Sequence, residues 1–264
     1  MQIELEPSRT QWDLKWRMFG ISIRVHPLFW LIALLLNYQE NLDFKYVALG
    51  IVCFFFSILL HEFGHALCQR FYGDRNNRIV LHALGGLAIS RHQITVWPRI
   101  AVLLWGPGAE LLLAAVVYAI GASQYGVRFP LVPFNSMEQY AMLMLFWINT
   151  IWGVGNLLPI FPLDGGQIAR ELARWKAPRR GDAFAFQISF YVAIVITLLV
   201  IAKALSPYRA NNALGDLFSI LLFGMLAYQS YMLRKRILQY GDEEEKESSR
   251  SPWEQNDDWW KHGK

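Results

Sequence analysis

The chain has 264 residues, 54% of them hydrophobic, 15% aromatic and only 17% charged, with a formal net charge of +4. An ordinary soluble domain is roughly a quarter charged, so this composition, with a mean hydropathy of +0.23, excludes disordered, collagenous and disulfide-scaffold proteins and directs the reading to a membrane protein. The positive balance needs no nucleic-acid partner, because the basic residues are dispersed rather than gathered in a stripe with interleaved aromatics.

In chain order, residues 1–21 read as a polar cytoplasmic arm without a cleavage pattern, so the first apolar run is expected to be a retained anchor. Runs free of Lys, Arg, Asp and Glu then recur: 15 residues between Arg24 and Glu40, 16 between Lys45 and Glu62, 17 between Glu110 and Arg128, 25 between Glu138 and Asp164, 20 between Asp182 and Lys203, and 17 between Asp216 and Arg234. A membrane-crossing helix needs about 20 mostly apolar residues. Allowing a few ionisable residues inside them, six spans are predicted at 22–38, 46–69, 99–122, 139–162, 183–203 and 214–233. A soluble protein with very apolar core helices is the competing reading, and runs of this length disfavour it. The expected fold class is an all-α polytopic membrane protein with about six transmembrane helices.

Six spans put both termini on one side. The arm counted through Arg24, the connection after span two counted through Arg99, the connection after span four and the C-terminal stretch together hold 21 of the 25 Lys and Arg. Basic residues favour the cytoplasmic side in short loops, so both termini are expected in the cytoplasm, with a prokaryotic cell membrane as the default. The expected layout is an arm over 1–21, an integral membrane unit over 22–235, and a disordered, charged cytoplasmic tail over 236–264 that contains Trp253, Trp259 and Trp260. Within the connection after span two, residues 79–90 read as a short membrane-associated β-hairpin turning at Gly85-Gly86. Cys53 and Cys68 lie 15 positions apart on span two, about 22 Å along a helix and too far for a disulfide.

Ionisable residues inside spans are costly and become functional candidates. Span two ends in His61-Glu62-Phe63-Gly64-His65. Residues four apart share a helix face, so both imidazoles can bind one metal ion, while Glu62 stands close enough to act on a water at the metal without being a ligand. This is the HExxH arrangement of zinc peptidases. The alternative is a pair of pore-lining or hydrogen-bonded histidines. A catalytic zinc takes three protein ligands and keeps a position open, and the best third candidate is Asp164, in Asn156-Leu157-Leu158-Pro159-Ile160-Phe161-Pro162-Leu163-Asp164-Gly165-Gly166. Gly153, Gly155, Pro159 and Pro162 should break the helix just before it, and broken helices at membrane depth line polar cavities. The competing reading of Asp164 is an ordinary cap for the next helix.

HEFGH at the end of one span and NLLPIFPLDGG at the end of a later one resemble the site-2 protease family of intramembrane zinc metalloproteases. His26-Pro27, Gly85-Gly86 and Gly106-Pro107, the last read as opening span three, agree with that resemblance, which covers about residues 20–235. It implies one zinc ion per chain held by His61, His65 and Asp164, Glu62 as catalytic base, and a substrate groove shaped by Asn156 and Pro159. Many members carry Asn where Glu110 stands. Pairing with a basic group, tuning of the cavity and capping of span three are all open for Glu110, with a structural role favoured. The PDZ and CBS domains of some relatives have no counterpart in this sequence.

The expected function is hydrolysis of peptide bonds in or near transmembrane segments of other membrane proteins, within regulated intramembrane proteolysis. The expected partners are transmembrane protein substrates and the lipid bilayer, with no nucleic acid and no oligomeric state assigned. An unwound substrate segment would find backbone partners by adding a strand to the 79–90 hairpin, with Gly85 and Gly86 among its contacts, and from the Asn156 amide. The alternatives are a non-catalytic relative that binds transmembrane helices or metal, and a metal transporter. Loop residues His82 and His92 are read as solvated, His26 as packed beside Pro27, and Asp216 as a cap.

Overall fold

The computed structural model describes residues 7–38, 42–83, 85–90, 92, 94–126, 128–131, 133–206 and 213–249. The elements run β1 (Leu14–Met18), β2 (Ile21–Val25), α1 (Pro27–Asn37), α2 (Phe44–Phe71), β3 (Arg78–His82), β4 (Gly85–Ile89), α3 (Val96–Tyr125), α4 (Met137–Asn156), α5 (Asp164–Lys176), α6 (Gly181–Leu205) and α7 (Ala213–Ser249). The molecule is mostly helical, with one small sheet of order β1-β2-β3-β4.

The sheet has four strands, two more than the hairpin expected from the sequence. Apolar and polar residues alternate along Leu14–Met18 and Ile21–Val25, the period of a strand with one buried face. Phe19 and Gly20 join the two strands, both at positive φ (51° and 74°), as the type I′ connection of a tight hairpin requires. β2 then pairs in parallel with β3, and parallel strands need a long crossover, supplied here by α1 and α2. His26 ends the sheet segment and starts the helix: its Nδ1 accepts the Leu28 N–H at 3.2 Å, and Pro27 takes the first helical position, where a missing N–H costs nothing. Asp13 braces the entry to β1 through an ion pair of 3.0 Å with Arg24.

The predicted first span, 22–38, is therefore β2 followed by an apolar helix of 11 residues, about 16 Å long against a hydrocarbon core of about 30 Å. Among the described residues, four helices are long and apolar enough to cross a membrane: Phe44–Phe71, Val96–Tyr125, Gly181–Leu205 and Gly215–Tyr240. α4 has 20 residues, and Glu138, Gln139, Asn149, Thr150 and Asn156 lower its hydropathy.

Two local expectations are corrected. Gly85 and Gly86 are not the turn of the hairpin, because they pair with His82 and Leu81 inside β4. Their glycines serve approach instead, with φ +117° at Gly85 and the Glu62 side chain against Gly86. Gly106-Pro107 lies inside α3 rather than at its opening. The helix of α7 continues through Ser249, so it includes the first part of the segment expected as a tail; Trp253, Trp259 and Trp260 lie outside the described residues.

The largest buried cluster joins sheet to helices, with Ile21, Ile23, Val25, Ile79 and Leu81 against Phe29, Phe54, Ile58 and Phe63. It clamps the second half of α2 on the sheet. A second cluster seats Ile160, from the α4–α5 turn, on Ala193 of α6 and Leu226 and Ala227 of α7. The two clusters hold the two halves of the candidate site.

Candidate active site

His61, Glu62 and His65 are buried on α2. α3 packs closely beside them because glycines stand at the crossing: a Cβ on Gly64 would collide with the Trp105 backbone, and one on Gly106 would collide with the His65 ring. Pro107 withdraws the N–H that would have bonded the Leu103 carbonyl. One residue earlier, Val102 O receives a hydrogen bond from His65 Nδ1 at 2.7 Å. His61 Nδ1 lies 2.8 Å from Glu110 Oε2, with the Glu110 side chain fully buried. Both imidazoles thus have Nδ1 engaged by α3 and Nε2 turned the same way.

Asp164 approaches from the other side. α4 ends at Asn156, and Leu157–Leu163 form a chain of tight turns, including Leu158 N–H to Gly155 O at 3.1 Å and Leu163 N–H to Ile160 O at 2.8 Å. Gly165 and Gly166 permit that folding, since a Cβ on either would strike the backbone of Leu157 or Ile160. Ser189 Oγ accepts the Phe161 N–H at 2.7 Å and lies 2.8 Å from Ser230 Oγ, which ties the turn to α6 and α7. α5 itself is fastened by Arg170 and Arg174 to Asp182, at 3.0 and 2.7 Å, and by Glu171 to Arg99 at 3.2 Å. The N-cap of α5 is Leu163, with no side-chain cap, so Asp164 is not the capping residue.

Three ligand atoms converge. His61 Nε2 and His65 Nε2 are 2.9 Å apart, and Asp164 Oδ2 lies 3.2 Å from the first and 3.3 Å from the second. Zinc bonds of about 2.0–2.1 Å at tetrahedral angles separate ligand atoms by about 3.3 Å. Glu62 Oε2, Glu110 Oε1 and Asp164 Oδ2 are buried without a hydrogen-bond partner. Three carboxylates drawn out of water around two imidazoles carry a large desolvation cost that a dication would offset. Donor set, spacing and orphaned oxygens all fit a zinc ion.

The base candidate is held beside these ligands. The Ala88 amide of β4 donates to the Glu62 carboxylate, Gly86 lies against its side chain, and Gln69 Nε2 donates to Ala88 O at 3.1 Å. Gly85 faces Trp152 of α4, whose ring would lie 3.2 Å from a Cβ at that position. The structure thus brings Gly85 and Gly86 to the site. Asn156 stands at the end of α4 with Nδ2 bonded to Trp152 O at 3.1 Å, and Pro159 lies in the turn before Asp164; neither supplies an atom to the His61, His65 and Asp164 cluster. Glu110, read as structural from sequence, sits in mid-helix against His61 and caps nothing. Its sequence signal was an acid within an apolar run. Asp216, read as a cap, pairs with Lys203 at 2.9 Å.

A helical membrane protein with a histidine pair and an aspartate converging beside a buried glutamate is a metallopeptidase-type architecture. The model of peptidase family M50 matches residues 49–142 and 133–200, more than half of the chain, and the chain belongs to that family. Rip3 of Mycobacterium tuberculosis is 30% identical over 171 residues, covering 64% of this chain and 42% of that protein. Zinc metalloprotease MJ0392 of Methanocaldococcus jannaschii is 29% identical over 204 residues, covering 73% of this chain and 57% of that protein. Stage IV sporulation protein FB of Bacillus subtilis is 26% identical over 207 residues, covering 74% and 66%. The chain spans less than two thirds of the length of each of these relatives. Among solved structures, the site-2 protease from Methanocaldococcus jannaschii shares the fold, with a TM-score of 0.57 and 23% identity over 84% of this chain and 95% of that one. With its apolar helices, this family membership makes the chain an integral membrane protein.

Proposed function

We propose that the protein is a zinc-dependent endopeptidase that cuts membrane-protein substrates in or near their transmembrane segments. The observation that carries the reading is the convergence of His61, His65 and Asp164 within ligand distance beside Glu62. One zinc ion per chain, when bound, would polarise the scissile carbonyl and acidify a water.

The protein's own groups do the rest. Glu110 and Val102 O orient the two imidazoles, and the turn before α5 presents Asp164. Glu62, with one carboxylate oxygen unpartnered, takes the proton from the attacking water and returns it to the leaving amine. The substrate helix must unwind before a bond is exposed, and its freed amides and carbonyls then need partners. β4 ends the sheet, and its Gly86 borders Glu62, so strand addition at β4 would bring a bond to the base. Asn156, at the end of α4, and Pro159, in the turn that follows, are assigned to the substrate groove.

Six passes with both termini cytoplasmic remain our topology. β2 followed by α1 serves as the first pass: non-helical backbone at membrane depth is tolerated when buried in protein, and Ile21, Ile23 and Val25 are fully buried. Proteolysis of a transmembrane reporter in liposomes tests the function. Glu62→Gln should abolish cleavage while zinc is retained; full activity in that variant rules out the mechanism. A folded, zinc-loaded wild type that cleaves no membrane segment but captures one would favour the non-catalytic helix-binding alternative.

A further inference from the structure

We propose that Glu110 is a positioning residue for the metal: it fixes His61 as its Nε2-presenting tautomer, so that α3 acts as the ligand-orienting helix of the site. The inference rests on the metal-site reading above and deepens it.

Four observations carry it. First, Glu110 Oε2 lies 2.8 Å from His61 Nδ1, and both side chains are buried, at 0% and 5% exposure. In the proposed arrangement Nδ1–H donates to this carboxylate oxygen, and Nε2 keeps its lone pair free. Second, Nε2 is the atom turned toward Asp164 and His65. Third, His65 is treated alike by the same helix, its Nδ1 bonded to Val102 O at 2.7 Å. Fourth, Glu110 Oε1 is buried without a hydrogen-bond partner. Among the described residues, the ion-pair partner of Glu110 is His61 alone.

The helix geometry explains how one element serves both ligands. His61 meets Glu110 and His65 meets Val102, so residue numbers rise on α2 as they fall on α3, which makes the pair antiparallel. The two histidines are one turn apart, about 6 Å, whereas Val102 and Glu110 are eight residues apart, about 12 Å. Side chains lean toward the N-terminus of their helix by about a turn. The Glu110 carboxylate therefore reaches back toward Val102, while Val102 contributes only its backbone. Gly64 and Gly106 at the crossing set the helices close enough for both contacts. A carboxylate on one ligand and a neutral carbonyl on the other make the two imidazoles unequal, with His61 the more basic ligand.

The test uses the full chain in detergent, loaded with zinc alone or with cobalt(II) alone. Glu110→Met fills the same volume without an acceptor, and Glu110→Gln retains a neutral oxygen that can still accept from Nδ1–H. Chelator competition should find zinc held about 10–100-fold more weakly in Glu110→Met, with an altered cobalt visible spectrum. Glu110→Gln should recover most of both. Wild-type affinity and spectrum in Glu110→Met, alongside loss of metal in Asp164→Ala, would overturn the role of Glu110 while leaving the metal site standing. Equal losses in Met and Gln variants of correct elution volume and helicity would also overturn it, since the acceptor would then not be what matters. A folded wild type that binds neither metal removes the metal site and this inference together.

Discussion

Gly86 and Glu62 are in such close contact that a single methyl group on Gly86 has no room: it would fall on Cγ, Cδ and Oε1 of the Glu62 side chain. The edge of the sheet and the base are therefore one construction, and moving either moves the other.

Gly86→Ala should displace the Glu62 carboxylate by the better part of an ångström. Misplacement on that scale costs about 100-fold in rate, while His61, His65 and Asp164 are untouched. Cleavage of a transmembrane reporter should fall by about that factor with zinc content unchanged; unchanged cleavage would separate Gly86 from the base.

Gly106→Ala acts on the metal instead, because its new methyl group would strike the His65 ring. We expect zinc content to fall, and overpacking at this helix crossing to cost about 1–3 kcal/mol. Metal analysis together with thermal unfolding in detergent checks both parts.

Ser189→Ala removes the acceptor of the Phe161 amide, and a buried N–H left unpaired costs about 1–3 kcal/mol. The loss falls on the turn that presents Asp164. Zinc affinity should weaken in this variant although Ser189 touches no ligand. Ser230→Ala, which leaves the Phe161 bond in place, should be milder.

Outside the helices, the Asp13 carboxyl feels two opposing effects. Burial pushes its pKa up, but hydrogen bonds from Thr10 and Arg24 and the Arg24 charge prevail and hold it at about 2, below the ordinary 3.8. A lowered folded-state pKa stabilises the fold above the unfolded value and is lost as pH falls. The brace on β1 should hold above about pH 4 and weaken between pH 4 and 2. Thermal unfolding across that range should show a slope that Asp13→Asn reduces.

Much of this site was legible because its signals are local. His61 and His65 are four apart on one helix, so periodicity alone places both imidazoles on one face. Asp164 was legible from the prolines and glycines that break the chain before it. Glu110 was legible only as an oddity: its partner lies 49 positions away, and no spacing rule links residues on two different helices. The β1–β2 hairpin is hard to see in the sequence although Leu14–Met18 and Ile21–Val25 alternate, because the segment is polar overall and Phe19-Gly20 is not a familiar turn pair. Its parallel pairing with β3 depends on a crossover through α1 and α2, which no local pattern announces. Gly85-Gly86 misled for the opposite reason, since glycine marks close approach as readily as it marks a turn.

The central claim is a three-ligand zinc centre made by α2 and the start of α5. Metal content of the purified full chain in detergent tests it most directly, with His61→Ala and Asp164→Ala measured beside wild type. We predict about one zinc per wild-type chain and its loss from both folded variants. Zinc retained at the wild-type level in Asp164→Ala, or absent from a folded and reconstituted wild type, would contradict the account.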